Sequence, residues 1–206
     1  GTIHLFKQEV DRDYASSVEG IVIRPEWVKA SIDAHKKLGF DDHGMPMAAL
    51  DVADEGGDKN SYVYRKGVVL KSGFEWGEGD VGETTRKALA YMQKDNCKIL
   101  QYDSIGVGAG VKSETNRLQK DGKFLDFSFV KWNSAGKVKF PKKRLVKGDK
   151  ETPTNQDYFS NIKAQAWWAL RVRFEKTYKA IEKDEKYFKI AQERLSLTPN
   201  SVGNCD

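Results

Sequence analysis

Cysteine is nearly absent: Cys97 and Cys205 are the two in 206 residues, and they have neither metal-ligand spacing nor the pattern of a disulfide framework. That excludes a cysteine zinc site and a stapled secreted scaffold, and it predicts free thiols in a reducing compartment. Histidine is as scarce. His4, His35 and His43 share no ligand spacing, and His35 is expected at a helix surface. No apolar run approaches the roughly 20 residues of a membrane-spanning helix. The leading residues Gly1-Thr-Ile-His-Leu-Phe6 lack the regions of a signal peptide, so a soluble, intracellular protein is the expectation. No Gly-x-x-x-x-Gly-Lys-Ser/Thr motif occurs, which excludes a P-loop ATPase within this chain. There is no internal repeat and no low-complexity tract. A chain of this length buries roughly 70% of its unfolded surface and needs no staple to fold.

Charge is present in quantity and unevenly placed. The 35 basic and 30 acidic residues leave a net charge of +5. Between Lys131 and Lys150, eight basic residues face Asp149 alone, a local excess of +7 that is larger than the excess of the whole chain. Lys137, Lys139, Lys142, Lys143, Arg144 and Lys147 form its body. An isolated lysine-rich loop is most simply a solvated surface. Beside an acidic cluster it suits a polyanion, whose backbone phosphates the cations hold.

The apolar pattern predicts the elements. Pro25 and Glu26, then Trp27, Val28, Ser31, Ile32 and Leu38 before Gly39, predict one helix of three to four turns. Strands are predicted over 47–53, 60–66 and 68–76, with Lys66-Gly67 as a hairpin turn. A helix over 80–95, a strand over 98–103, a helix over about 107–120 and a strand within 125–132 follow. The basic segment reads as a loop or hairpin. The longest helical pattern runs from Asn155 to about Ile181, with Tyr158, Phe159, Ile162, Ala166, Trp167, Leu170, Phe174 and Tyr178 near one face. Trp167-Trp168 reads as half core and half partly exposed. An antiparallel meander followed by strands joined through helices makes an α/β protein with a mixed sheet flanked by helices.

In such sheets, sites gather at the carboxyl ends of strands. Two apolar runs there each deliver an aspartate into glycines: Leu50-Asp51-Val-Ala-Asp54-Glu-Gly-Gly-Asp58, and Tyr102-Asp103-Ser-Ile-Gly106-Val-Gly108-Ala-Gly110. Alone, Asp51 is a strand-terminal turn residue. With Asp54, Glu55 and Asp58 crowded into the same turn, like charges repel unless a cation, water or Lys59 relieves them, and a metal explains the cluster better than structure does. The glycines of 106–110 do not match the dinucleotide-binding spacing. They let the chain leave the strand tightly and keep space open above Asp103.

These motifs, with Asn161-Ile-Lys-Ala-Gln-Ala-Trp-Trp168 and the upstream Phe6-Lys-Gln-Glu-Val10 and Val22-Ile-Arg-Pro-Glu-Trp27, resemble the nuclease domain of tailed-phage large terminases, the DNA-packaging motor subunits. The resemblance spans most of the chain. It implies a ribonuclease H-like fold over 41–206, preceded over 1–40 by a lead-in segment and helix from the motor-domain linker, the whole being a single domain. It implies a divalent-metal endonuclease, using Mg²⁺ or Mn²⁺ at a two-metal site, that cuts concatemeric double-stranded DNA at the start and end of packaging. Its first two catalytic and metal-binding acids fall on Asp51 and Asp103. The third falls on Asp206, within Thr198-Pro-Asn-Ser-Val-Gly-Asn-Cys-Asp206, an imperfect copy of the family pattern in which the Asp comes late; Asp157 is its rival, and Asp54 and Asp58 are further acidic candidates. Asp51 would bridge the metals, and the basic segment would position the duplex backbone. The resemblance also implies an ATPase motor domain upstream, portal and small terminase subunit as partners, no membrane, and the host cytoplasm as location. Two other readings stay open: a catalytically silent DNA-binding or portal-docking module of the same fold, and an actin-like or sugar-kinase-like phosphotransferase, which normally repeats its fold where this chain shows no repeat.

Overall fold

Strand β1, Pro46–Asp51, sits at the centre of a five-stranded sheet and alternates as a half-covered strand must, with Ala48 and Leu50 buried and Asp51 exposed at its end. A computed structural model describes residues 21–53, 58–77, 79–146 and 148–196, with side chains described through residue 186. The chain falls into two compact units. One is Asp41–Gln165; the other joins the part up to Phe40 with the part from Ala166 onward.

In the first unit, β2 (Asn60–Lys66) and β3 (Val69–Trp76) form an antiparallel meander with β1, and β4 (Ile99–Asp103) and β5 (Ser128–Trp132) add in parallel on its other side, giving the order β3-β2-β1-β4-β5. The β2–β3 turn depends on Gly67, at φ 58°, where a Cβ would sit 2.1 Å from the His43 carbonyl oxygen. Helix α3, Val81–Lys94, is the crossover that makes β4 parallel to β1. (Helices α1 and α2, in the other unit, are Pro25–Ser31 and Ala34–Lys37.) Its start is fixed by a capping box, the Asp80 carboxylate accepting from the Glu83 N–H at 2.7 Å and Glu83 accepting from the Asp80 N–H at 3.2 Å. Thr84, Thr85, Ala88, Leu89 and Met92, at three- and four-residue spacing, form its buried stripe. After β4 the chain makes a 3₁₀ turn at Gly106–Gly108 and enters α4, Ala109–Lys120, which buries Val111, Thr115 and Leu118. The stripes of α3 and α4 meet Ala48, Leu50, Tyr62, Leu100 and Tyr102 in one core on one face of the sheet. Tyr62 donates to Asp95 at 2.9 Å from this core, and burial pushes its phenol well above the usual tyrosine range.

The mixed sheet flanked by helices matches the α/β, ribonuclease H-like class expected from the sequence. Two helices differ from expectation. The single helix expected after Pro25 is interrupted between α1 and α2: Ile32 is extended and Asp33 is left-handed at φ 54°. Ser31 Oγ donates to the Trp27 carbonyl at 2.8 Å, so a side chain competes for the helix's last acceptors just where the chain turns off. The long helix expected from Asn155 is likewise two, α5 (Asn155–Tyr158) and α6 (Ile162–Ser196), separated by extended Phe159. Buried Phe159 breaks the run, and the Asn161 side chain accepts from the Ala164 N–H at 2.9 Å, a fresh N-terminal cap for α6. In the second unit, the Arg171 guanidinium of α6 lies 5.3 Å from the Trp27 ring and 5.0 Å from the Trp168 ring, and it donates to the Val22 carbonyl at 3.2 Å. Trp167 is exposed and Trp168 half-buried.

Candidate active site

The parallel register of β1 and β4 pairs Ala48 with Leu100, Ala49 with Gln101 and Leu50 with Tyr102. Asp51 and Asp103 end these strands as the next residues in that register. Leu50 and Tyr102 are each only 2% exposed against the helices, so alternation sends both aspartates away from the helix-covered face, toward the same side. Neighbouring strands lie about 4.8 Å apart, so the two side chains leave adjacent backbone positions.

The backbone around each aspartate is tied down. Past Asp51, the Ala53 N–H donates to Oδ1 of buried Asn60 at 3.0 Å, which pins the far side of the acidic turn to the start of β2. Asp103 Oδ1 accepts from the Ile105 N–H at 3.0 Å, which orients that carboxylate through one of its oxygens. Ser104 bonds the Trp132 carbonyl twice, through its N–H at 2.8 Å and its hydroxyl at 3.0 Å, locking the end of β4 to β5. Gly108 packs so close that a Cβ on it would lie 1.9 Å from the Asp103 carbonyl oxygen.

The other acidic candidates divide. Asp58 is exposed, and Lys59 pairs with Glu75 at 3.8 Å. Asp157 closes the capping box of α5, its Oδ2 accepting from both the N–H and the hydroxyl of Thr154, so one of its two oxygens is engaged there. Asp54, Glu55 and Asp206 lie outside the described residues. Among the described residues no group of three or more His, Cys, Asp or Glu is gathered for a metal ion. What the two strand ends offer is a pair of hard oxygen donors, one exposed and one half-buried, which suits Mg²⁺ or Mn²⁺ in donor chemistry.

The basic segment is irregular yet anchored. Among the described residues it has one isolated bridge, Arg144 with Thr154. Lys139 is fixed by its backbone: its N–H donates to Gln165 Oε1 at 2.8 Å, and its carbonyl accepts from Gln165 Nε2 at 2.9 Å and from Asn155 Nδ2 at 3.0 Å. Asn155, only 7% exposed, also donates to the Phe140 carbonyl at 3.0 Å. Lys137, Lys139, Lys142, Lys143 and Arg144 project to solvent from this frame, with the Arg144 guanidinium also donating to the Thr152 carbonyl; Lys147 lies outside the described residues.

Glu114 did not stand out in the sequence. Its carboxylate is 11% exposed and takes Arg117 at 2.8 and 2.9 Å and Arg86 at 2.6 Å, joining α4 to α3. Hydrogen bonding from Arg117 foremost, with that from Arg86, lowers its pKa to about 2. A three-residue spacing to Arg117 was visible; the arginine 28 residues away was not.

Solved structures share this arrangement of strands and helices. The nuclease domain of the large terminase subunit gp2 of bacterial virus Sf6 matches at a TM-score of 0.66 and 30% identity, covering 78% of this chain and 66% of that one. A variant of that domain with calcium matches at 0.67, and one with manganese and beta-thujaplicinol at 0.66, both again at 30% identity and the same coverage. The chain belongs to the family of phage large-terminase nuclease domains. It spans 66% of the length of those solved chains. No protein-family profile and no curated protein matches the sequence. The divalent ions in those relatives agree in kind with the donor pair at the strand ends.

Proposed function

We propose that this chain is a divalent-metal-dependent endonuclease of a phage packaging terminase, hydrolysing phosphodiester bonds of double-stranded DNA at the carboxyl ends of β1 and β4. The observation that carries this is the parallel pairing that sets Asp51 beside Asp103 on one side of the sheet. Those two carboxylates would hold Mg²⁺ or Mn²⁺, which supplies a Lewis acid for lowering the pKa of the attacking water and neutralising charge on the leaving oxygen. For a two-metal arrangement a third acid is proposed, Asp206, with Asp157 as its rival.

The chain's own residues do the positioning. The Ile105 N–H holds Asp103 Oδ1, so the carboxylate presents its free oxygen in a fixed direction. The Asn60 clasp on Ala53 does the same for the segment that follows Asp51. The exposed cations of the 137–144 loop hold backbone phosphates without reading bases, which suits sequence-tolerant cutting. At the level of the whole packaging subunit, the reading extends to cutting concatemeric DNA at the start and end of packaging, an ATPase motor domain in the same protein, contacts with portal and small subunit, and action in the host cytoplasm.

The test is plasmid nicking. Mg²⁺ or Mn²⁺ should support it, EDTA should abolish it, and Ca²⁺, with its looser coordination, should not substitute. Asp51→Asn and Asp103→Asn should each remove it while leaving thermal unfolding unchanged. The loss should exceed the roughly 10–100-fold cost of removing even a supporting partner of a metal ligand. Metal-independent DNA binding with no cleavage would favour the silent-module reading instead.

A further inference from the structure

The turn that follows Lys139 carries an aromatic ring into solvent on a backbone that α5 and the first turn of α6 hold in place. Phe140 is 72% exposed, against 47% for Tyr158 and 50% for Trp167, and its backbone is left-handed at φ 51°, a region that bulky side chains rarely adopt. Pro141 fixes the next φ, and the Lys143 N–H donates to the Phe140 carbonyl at 2.9 Å to close a β-turn. That carbonyl also accepts from Nδ2 of buried Asn155 at 3.0 Å. The Pro141 carbonyl accepts from the Gln156 N–H at 3.1 Å, and the Lys143 carbonyl from the Asn155 N–H at 2.8 Å. Ahead of the ring, Gln165 holds Lys139 at both its N–H and its carbonyl.

Two costs meet at this residue, a ring left in water and a backbone in an unfavourable region. Conformations of this kind persist where surrounding bonds over-determine them, and they gather where a ligand is clamped. The surroundings identify the ligand by charge. Lys137, Lys139, Lys142, Lys143 and Arg144 are all exposed, and residues 137–146 contain no acidic residue. Among the described residues no ion pair joins any of these five cations to a carboxylate, whereas Lys59, Lys66, Lys71, Lys98, Arg86 and Arg117 of the same unit each have one. An apolar ring set among such cations suits duplex DNA, which offers phosphates to the charges and, between its two backbones, the apolar edges of sugars and bases to the ring.

We infer that Phe140 is a wedge: its ring enters the minor groove of the bound duplex and partly unstacks one base step, while the neighbouring cations hold the phosphates on either side. The inference rests on the nuclease reading above and adds to it a contact that the charges alone do not make. Phenylalanine is among the apolar side chains that insert between base steps in this way and kink the duplex. Such a contact senses how easily a step deforms and does not read base edges, so it favours flexible pyrimidine–purine steps and remains compatible with sequence-tolerant cutting. The fixed turn serves the same end, because a ring already oriented by its backbone loses little freedom on insertion.

The experiment uses the 206-residue chain in Ca²⁺ and a short duplex carrying 2-aminopurine, a base whose fluorescence rises where the stack opens. Wild type is compared with Phe140→Ala and with Phe140→Gly, which relieves the left-handed backbone and keeps the test intact if the alanine variant fails to fold; urea unfolding checks each. A wedge predicts a fluorescence rise with wild type that both variants lose, together with a loss of affinity on the order of 10-fold. The slope of log K against log salt should stay as it is, since no phosphate contact is removed. A duplex with one mismatched pair, which opens more easily, should bind wild type more tightly than the matched duplex, and the variants should bind the two alike. A rise that persists without the ring, or a flattened slope, overturns the inference. If wild type binds duplex with a steep slope and both variants match it, this inference alone fails and the ring belongs to a protein contact. If wild type binds no duplex at all, the DNA reading fails and the wedge with it.

Discussion

Gly108→Ala is the substitution that reaches Asp103 through packing alone. Gly108 has an ordinary right-handed backbone, φ −59° and ψ −17°, so conformational freedom is not what it supplies. It supplies space: a Cβ would stand 1.9 Å from the Asp103 carbonyl oxygen and 2.8 Å from its carbon, both under the 3.0 Å that real Cβ atoms essentially never breach. The clashing atoms are backbone, so the first turn of α4 must lift from the end of β4 by about 1 Å, pulling on fully buried Val111. Overpacking of this kind costs about 1–3 kcal/mol, and the rigid neighbour argues for the upper end. Gly108 is the N-cap of α4, where glycine is preferred over alanine, so no helix-propensity gain offsets the cost. The expected loss is about 3 kcal/mol, read as a lowered urea midpoint at unchanged m. Gly106→Ala is the comparison, because it strains a left-handed backbone at φ 59° with nothing within 4 Å, and should cost about 1 kcal/mol. Cleavage separates the two further. Lifting α4 displaces Asp103 relative to Asp51, and a misplacement of about 1 Å is enough to cost on the order of 100-fold in rate. Gly108→Ala found as stable and as active as wild type, or less perturbed than Gly106→Ala, would refute the idea that this close approach sets the position of Asp103.

Three further outcomes follow from the same geometry. The folded-state Glu114 carboxyl titrates near 2 against an ordinary value of 4.5, so its stabilisation is complete above the ordinary value and is lost as pH falls toward 2; wild type should lose about 1–2 kcal/mol more than Glu114→Gln between pH 5 and pH 2, in urea unfolding followed by circular dichroism. Removing the Asn155 amide with Asn155→Ala strips the Lys139 and Phe140 carbonyls of a buried donor, which should cost about 1–3 kcal/mol in unfolding free energy and speed hydrogen exchange across residues 136–144. Replacing Lys142, Lys143 and Arg144 with Ala should flatten the salt dependence of duplex affinity by up to about 0.9 for each phosphate the loop no longer holds, evenly across sequences; coincident slopes would make the loop a solvated surface.

The strand ends were legible because local and global signals agree there. Leu50 and Tyr102 announce buried strands, the aspartates follow directly, and the glycines behind Asp103 mark a backbone that must pass close by; all of this is written within about ten residues. Pairing β1 with β4 needed only the helical pattern of 81–94, which makes the second strand parallel. The helix breaks were not legible by periodicity. At Ile32 and Asp33 the apolar spacing continues while a serine hydroxyl captures the Trp27 carbonyl, and at Phe159 the apolar spacing also continues, although Asp157-Tyr-Phe-Ser-Asn161 are weak helix formers and Phe159 is buried in an extended conformation. Asn155 and Gln165 read as ordinary polar helix residues, yet they hold the basic loop through bonds spanning 15 to 26 residues.

A manganese-soaked crystal of this chain, with the ion located by anomalous scattering, tests the central claim most directly. The account predicts a peak bonded to both the Asp51 and Asp103 carboxylates, on the side of the sheet away from α3 and α4, that disappears in Asp51→Asn. A peak that avoids either carboxylate, or one that persists unchanged in Asp51→Asn, would contradict it.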